Sequence, residues 1–132
     1  MTNVPEELRY SKDHEWVSFD EESGVATIGI TDYAQGELGD VVFVELPGEG
    51  APVTAHSPCG TIEAVKAVAE LFAPLSGEVV EANATLEDHP ETLNSDPYGE
   101  GWMIRVKMSN PGEVDSLLTA AEYEDFTKAE TE

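Results

Sequence analysis

The chain has 132 residues, 28 of them acidic and 6 basic, for a formal net charge of −22, with 40% hydrophobic residues. That length suits a single domain spanning 1–132 with a real core, and the apolar fraction excludes a disordered acidic tail. A surface this negative repels phosphate backbones and anionic headgroups, which excludes nucleic acid and membranes as expected partners.

Other bulk features point to the cytoplasm. Cys59 is the one cysteine, so no intrachain disulfide forms. No run approaches the ~18 apolar residues of a membrane span, and residues 1–9 lack the basic leader and apolar core of a signal peptide. The acidic excess predicts a salt-adapted cytosol, because at about 1 M salt the Debye length falls to about 3 Å and self-repulsion is screened.

Along the chain, residues 14–19 and 25–30 read as a hairpin around the acidic turn 20–24. Residues 31–35 predict one capped helical turn, with Thr31 or Asp32 as the cap and Gly36 or Gly39 as the stop. A strand over 40–46 closes on the turn 47–50. Strands over 61–66 and 71–72 flank a short apex, and strands over 77–81 and 103–108 complete the set. Between them, 83–101 is the longest irregular connection, with one helical turn expected near 90–93. From 111 to about 129 the spacing of Leu117, Leu118, Ala121, Tyr123 and Phe126 predicts a C-terminal helix. The residues alone thus predict an antiparallel β domain, core about 10–108, with a C-terminal helix.

Few residues offer chemistry. Cys59 lies near His56, but a lone cysteine ordinarily behaves as a small hydrophobe. There is no nucleophile elbow, phosphate loop or metal-ligand spacing, so neither a catalytic residue nor a metal site is expected. Trp16, Trp102, Val42, Val44 and Ile104 read as core, and His14 reads as a structural histidine or an orienting one. Arg105 and Lys107 alternate with apolar residues, as on the wet face of a strand. Lys66 differs, being set among Ala64, Val65, Ala67 and Val68. It is either a strand lysine snorkelling to water or a lysine presented at a hairpin apex for covalent modification. Periodicity does not choose between these.

The stretch Gly60-Thr61-Ile62-Glu63-Ala64-Val65-Lys66-Ala67, followed by Ala73-Pro74-Leu75-Ser76-Gly77-Glu78-Val79, resembles the lipoyl-lysine region of the glycine cleavage H-protein family. The likeness continues in Tyr10-Ser11-Lys12-Asp13-His14-Glu15-Trp16, in residues 28–35 and 38–47, in Glu81-x-Asn83, and in Leu93-Asn94-x-x-Pro97-Tyr98-x-x-Gly101-Trp102. It spans about 10–108 in the family's order, which is more specific than any one motif. The sequence departs from the family's usual residues at Ala64, at Ala69-Glu70 and at Phe72.

The resemblance implies a mainly β fold, a flattened β-barrel or sandwich of the hammerhead-like lipoyl/biotinyl type, with short helices and a C-terminal helix. It implies lipoate in amide linkage on Lys66, with Glu63 and Gly77 helping a lipoylating enzyme recognise the hairpin. It further implies a non-catalytic carrier that takes the aminomethyl group of glycine from a pyridoxal-phosphate glycine decarboxylase to a tetrahydrofolate-dependent aminomethyltransferase. The carrier then presents its dithiol to dihydrolipoamide dehydrogenase. Asp13, Glu15 and Glu70 become candidates for meeting the aminomethyl ammonium in a cleft. A biotinyl carrier is the nearest rival, but biotin acceptors carry Met on both sides of the lysine where Val65 and Ala67 stand here. A relay carrier in lipoate assembly is a second rival, and a small enzyme using Cys59 and His56 is a third.

The charge balance predicts that the melting temperature rises by several degrees from dilute buffer to molar KCl, as repulsion is screened. Thermal melts across a KCl series check this, and equal stability throughout would refute salt adaptation.

Overall fold

Strands dominate the computed structural model, which describes residues 4–20 and 22–131. In chain order they are β1 (Arg9–Tyr10), β2 (Glu15–Asp20), β3 (Val25–Ile30), β4 (Val41–Glu45), β5 (Pro52–Val53), β6 (Pro58–Ala64), β7 (Val68–Phe72), β8 (Gly77–Ala82) and β9 (Ile104–Met108). The helices are α1 (Asp32–Leu38), α2 (Thr85–Asp88), α3 (Thr92–Ser95) and α4 (Ala120–Thr131), with a 3-10 segment over Pro111–Ser116.

The strands form two antiparallel sheets, one of six strands in the order β1-β2-β3-β9-β8-β5 and one of three in the order β4-β6-β7. Their inner faces share one core, with Val17, Ile28, Val79 and Val106 from the first meeting Val44, Ile62 and Leu71 from the second. This is a flattened β sandwich with short helices and a C-terminal helix, the architecture expected from the sequence. Strand β9 shows the pattern plainly: Ile104, Val106 and Met108 are buried, while Arg105 is half-buried and Lys107 exposed.

The long connection carries two helical turns rather than one, because Leu86 and Leu93 must each reach the core and both are fully buried. Burying each contributes about 2 kcal/mol. Asn83 closes the base of this connection. Its amide donates to the Glu100 and Trp102 carbonyls, and its oxygen accepts from the Thr85 N–H.

Several expectations need correction. The strand read over 61–66 runs instead from Pro58 to Ala64, so Lys66 stands outside it. Its partner begins at Val68, not 71. Two-residue strands β1 and β5 were not predicted, because two residues carry no alternation of their own; β1 lies on β2 and β5 on β8. The C-terminal helix does not run from 111. The chain leaves the 3-10 segment, extends so that Leu118 exchanges both backbone hydrogen bonds with Tyr10, and only then enters α4. Thr119 and Glu122 open that helix as a reciprocal capping box, the Thr119 N–H donating to the Glu122 carboxylate and the Glu122 N–H to the Thr119 hydroxyl. Val42, read as core, is exposed, because the β4–β6 register shifts between Val41 and Phe43. Trp102 is half-buried, its ring covered by the Arg105 guanidinium 4.2 Å from the ring centroid. Trp16, Val44 and Ile104 are core. Of the acidic hairpin turn, residues 22–24 are seen as a turn, and Glu21 lies outside the described residues, as do Met1–Asn3 of the N-terminal segment.

Gly77 begins β8 where the backbone of β9 passes so close that a Cβ would stand 2.1 Å from the Lys107 carbonyl oxygen. Gly77→Ala therefore forces the two strands apart, and its melting temperature should fall by about 5 °C or more. Thermal melting checks this, and an unchanged midpoint would show that the strands yield freely.

Candidate functional site

The β6–β7 hairpin ends in a three-residue loop, Val65-Lys66-Ala67, closed by the Ala64 N–H donating to the Ala67 carbonyl at 2.7 Å. Lys66 is exposed at its tip, and the apolar neighbours Val65 and Val68 are 74% and 67% exposed. Exposed valines on both sides leave the lysine without a nearby carboxylate partner from its own loop. Glu63 stands two residues before the loop, half-buried, opposite Phe43 on one side and Val68 on the other.

The loop is seated on the corner that ends α1. The Val65 N–H donates to the Asp40 carbonyl at 2.9 Å. Gly39 has φ +81°, a left-handed conformation that glycine adopts without strain, and a Cβ there would come within 2.9 Å of the Lys66 Cε. The lysine stem thus lies along bare backbone. Asn94, from α3, holds this corner: its amide donates to the Gly39 carbonyl and to Gln35 Oε1, and its oxygen accepts from the Val41 N–H. The sequence marks Asn94 only as part of a motif; its role appears once α3 is packed against α1.

Beside this corner lies a cleft of about 320 Å³. One part of its lining is α1, through Tyr33, Ala34 and Leu38; another is the turn Asp13-His14-Glu15, and Ala69 and Glu70 of β7 add a third. Asp13, Glu15 and Glu70, which the resemblance names together as candidates for meeting an ammonium in a cleft, line one cavity. Asp13 and Glu70 are exposed at its edge and Glu15 is buried. Leu38, immediately before Gly39, lines the cleft as well, so the cavity opens next to where the Lys66 stem rests. Gly77 is not brought to this place. The chain reaches it only after β7 has run away from the loop, and it lies in the other sheet, where the close approach of β9 accounts for the missing side chain.

Glu15 is the unusual group. Ser11 donates its hydroxyl to one carboxyl oxygen at 2.6 Å, and the Phe72 N–H donates to the other at 3.1 Å. Burial disfavours its charged form more strongly than these bonds favour it, and Asp13 adds repulsion, so the carboxyl is pushed up to about 8. An empty cleft at neutral pH thus holds a proton on Glu15. Cys59 is half-buried, and burial together with the nearby Glu15 charge pushes its thiol up to about 12, the opposite of an activated nucleophile. Among the described residues, no group of three or more His, Cys, Asp or Glu could hold a metal ion, and no helix is long and apolar enough to cross a membrane.

His14 has φ +66° and completes the cleft wall with Tyr33, their ring centroids 4.9 Å apart. Behind it, Tyr123 of α4 places its phenol oxygen 2.8 Å from His14 Nδ1. The reading of His14 as an orienting or structural residue meets a definite partner here.

Comparison with known proteins bears on the whole arrangement. Residues 8–130 match the family described as "Glycine cleavage H-protein". The chain is 59% identical over 122 residues to a glycine cleavage system H protein of Geobacillus kaustophilus, covering 92% of this chain and 94% of that one. It is 52% identical over 128 residues to the protein of that name from Symbiobacterium thermophilum, covering 97% and 98%. The crystal structure of a glycine cleavage system H protein from Mycobacterium marinum superposes with a TM-score of 0.86 at 41% identity, covering 95% of this chain and 99% of that one.

Glu15 makes stability depend on pH with a defined sign. Its folded value lies above its ordinary value, so its stabilising contribution is full below about 4.5 and is lost as pH rises toward about 8. The stability difference between Glu15→Gln and the parent should therefore move in favour of the variant across that window, at up to ~1.4 kcal/mol per pH unit. Urea unfolding of both proteins from pH 4.5 to 8.5 measures the difference, and a flat one would show that Glu15 ionises normally.

Proposed function

Because the chain belongs to the glycine cleavage H-protein family, the lipoyl-carrying subunit of the glycine cleavage system, we propose that Lys66 is its lipoyl-attachment residue and that the cleft beside it shelters the loaded arm. The observation that carries this is the mount: an exposed primary amine on a closed three-residue loop, its stem laid on Gly39 next to an acidic cleft. A tight loop gives a ligase a rigid target, and the small neutral neighbours obstruct neither the amine nor the amide that replaces it. Acylation removes the lysine charge.

When bound, lipoate supplies the dithiolane that accepts an aminomethyl group and is later reoxidised. The chain's own residues present and protect. The walls offer Ile30, Leu38, Ile62 and Ala69 for an aliphatic arm, and Asp13, Glu15 and Glu70 for a terminal ammonium. An ammonium entering beside Glu15 favours the charged carboxylate, so it displaces the proton held when the cleft is empty. Such an ion pair, shielded from water, is stronger than one at the open surface.

In this reading the protein is a non-catalytic carrier acting as one lipoyl-carrier domain in the cytoplasm. Its partners are a pyridoxal-phosphate glycine decarboxylase, a tetrahydrofolate-dependent aminomethyltransferase, dihydrolipoamide dehydrogenase and a lipoylating enzyme. Glu63, two residues before the loop, lies within the surface that last enzyme meets; Gly77 acts on recognition through the packing of β8 rather than by contact.

Intact mass of the chain from native cells should show one lipoyl group, and Lys66→Ala and Lys66→Arg should abolish it completely. A biotinyl mass, or a lipoyl group retained in either variant, would overturn the assignment. Restored glycine-dependent growth by the parent chain, and none by Lys66→Ala, separates glycine cleavage from a relay role.

A further inference from the structure

The two walls of the cleft come from separate parts of the chain, brought side by side by the β2–β3 pairing, which ends at Glu15 opposite Ile30. The turn Asp13-His14-Glu15 joins β1 to β2, and α1 follows β3. Just beyond that pairing the Thr31 N–H donates to the His14 carbonyl at 3.0 Å, and the His14 and Tyr33 rings lie 4.9 Å apart. Behind that point sits the phenol of Tyr123, which is fully buried and does not itself line the cleft.

Its oxygen is 2.8 Å from His14 Nδ1 and 2.7 Å from Thr31 Oγ1. Thr31 Oγ1 is also the cap of α1, accepting from the Ala34 N–H at 3.1 Å. One hydroxyl on the C-terminal helix thus bridges a residue of one wall to the cap of the other. Either direction of donation satisfies the chain of bonds: Thr31 to Tyr123 to His14 when Nδ1 is bare, and the reverse when Nδ1 carries a proton. The ring is independently fixed, stacked on Tyr10 with centroids 4.7 Å apart, and Tyr10 is itself bound to Leu118 just before α4.

We infer that Tyr123 is a positioning residue for the carrier, a clamp by which α4 fixes the separation of the His14 wall and the α1 wall. This rests on the reading that the loaded arm shelters in that cleft, and it assigns a part of that task to a helix outside it. His14, held in left-handed backbone conformation, keeps its ring against Tyr33 because the clamp sets its direction.

Tyr123→Phe tests the clamp, since the phenyl ring keeps its stacking on Tyr10 and only the bridging hydroxyl is lost. In the unlipoylated protein, the Thr31 and Ala34 amides should exchange hydrogen about tenfold faster, while Val79 and Val106 in the six-stranded sheet stay unchanged. Unchanged exchange at Thr31 and Ala34, or the same acceleration at all four, would overturn the clamp. Thr31→Ser keeps both cap and hydroxyl and should exchange as the parent does.

Lipoylation of Lys66 should proceed at the parent rate in Tyr123→Phe, whereas the aminomethyl-loaded carrier should decompose about tenfold faster. In that decomposition water takes the carbon as formaldehyde, ammonium leaves, and the sulfur regains its proton. Thr31→Gly removes the other hydroxyl while glycine remains acceptable at the cap, and it should shorten the lifetime similarly. Ala34→Phe, which fills the cleft, tests the underlying reading alone. If it shortens the lifetime and neither hydroxyl deletion does, the clamp is refuted and the shelter stands; if it leaves the lifetime unchanged, the shelter is refuted.

Discussion

Almost everything of functional interest depends on the corner at Gly39–Asp40 and on the three hydrogen bonds by which Asn94 holds it. That corner ends α1, begins β4 and seats the Val65-Lys66-Ala67 loop through the Asp40 carbonyl. A helix C-terminus leaves carbonyls without partners, and here the Gly39 N–H returns to the Gln35 carbonyl while Asn94 takes the Gly39 carbonyl. The same amide that satisfies the helix end therefore fixes both the mount of the lysine and one wall of the cleft. Leu93, the neighbour of Asn94, is fully buried, so the corner is tied to the core rather than to a mobile loop.

The electrostatics have a corresponding division. Most of the 28 acidic side chains are exposed, and they set the net charge of −22. Glu15 belongs to the interior. Its two hydrogen bonds fix where the carboxyl points, and burial decides which form it takes. The result is a cleft with one carboxyl that burial holds toward its protonated form.

Sequence pattern and structure part company at identifiable residues. Strand β9 was legible because its side chains alternate between core and water, and β3 because frequent apolar residues follow the acidic turn. Thr31 was legible as a cap because a hydroxyl before a helical turn satisfies a free N–H. Leu117 and Leu118 misled, since their spacing continues that of α4 although Leu118 is committed to backbone pairing with Tyr10. The capping box Thr119–Glu122 was the local signal for the true start. Val42 misled because a register shift in β4 turns an apolar residue outward, and no local rule reports a shift set by the partner strand.

By itself the sequence determined the β class, the charge, the family and the one lysine set in apolar surroundings, because these follow from composition, period and motif. The tertiary structure decided which residues share a space. Asp13, Glu15 and Glu70 became lining of one cleft, Gly77 was moved to the other sheet, and Asn94 and Tyr123 acquired tasks at positions 28 and 57 residues beyond Lys66. The reason is physical: hydrogen bonds between distant segments, such as Asn94 to Gly39 and Tyr123 to Thr31, exist only after the core has brought those segments together.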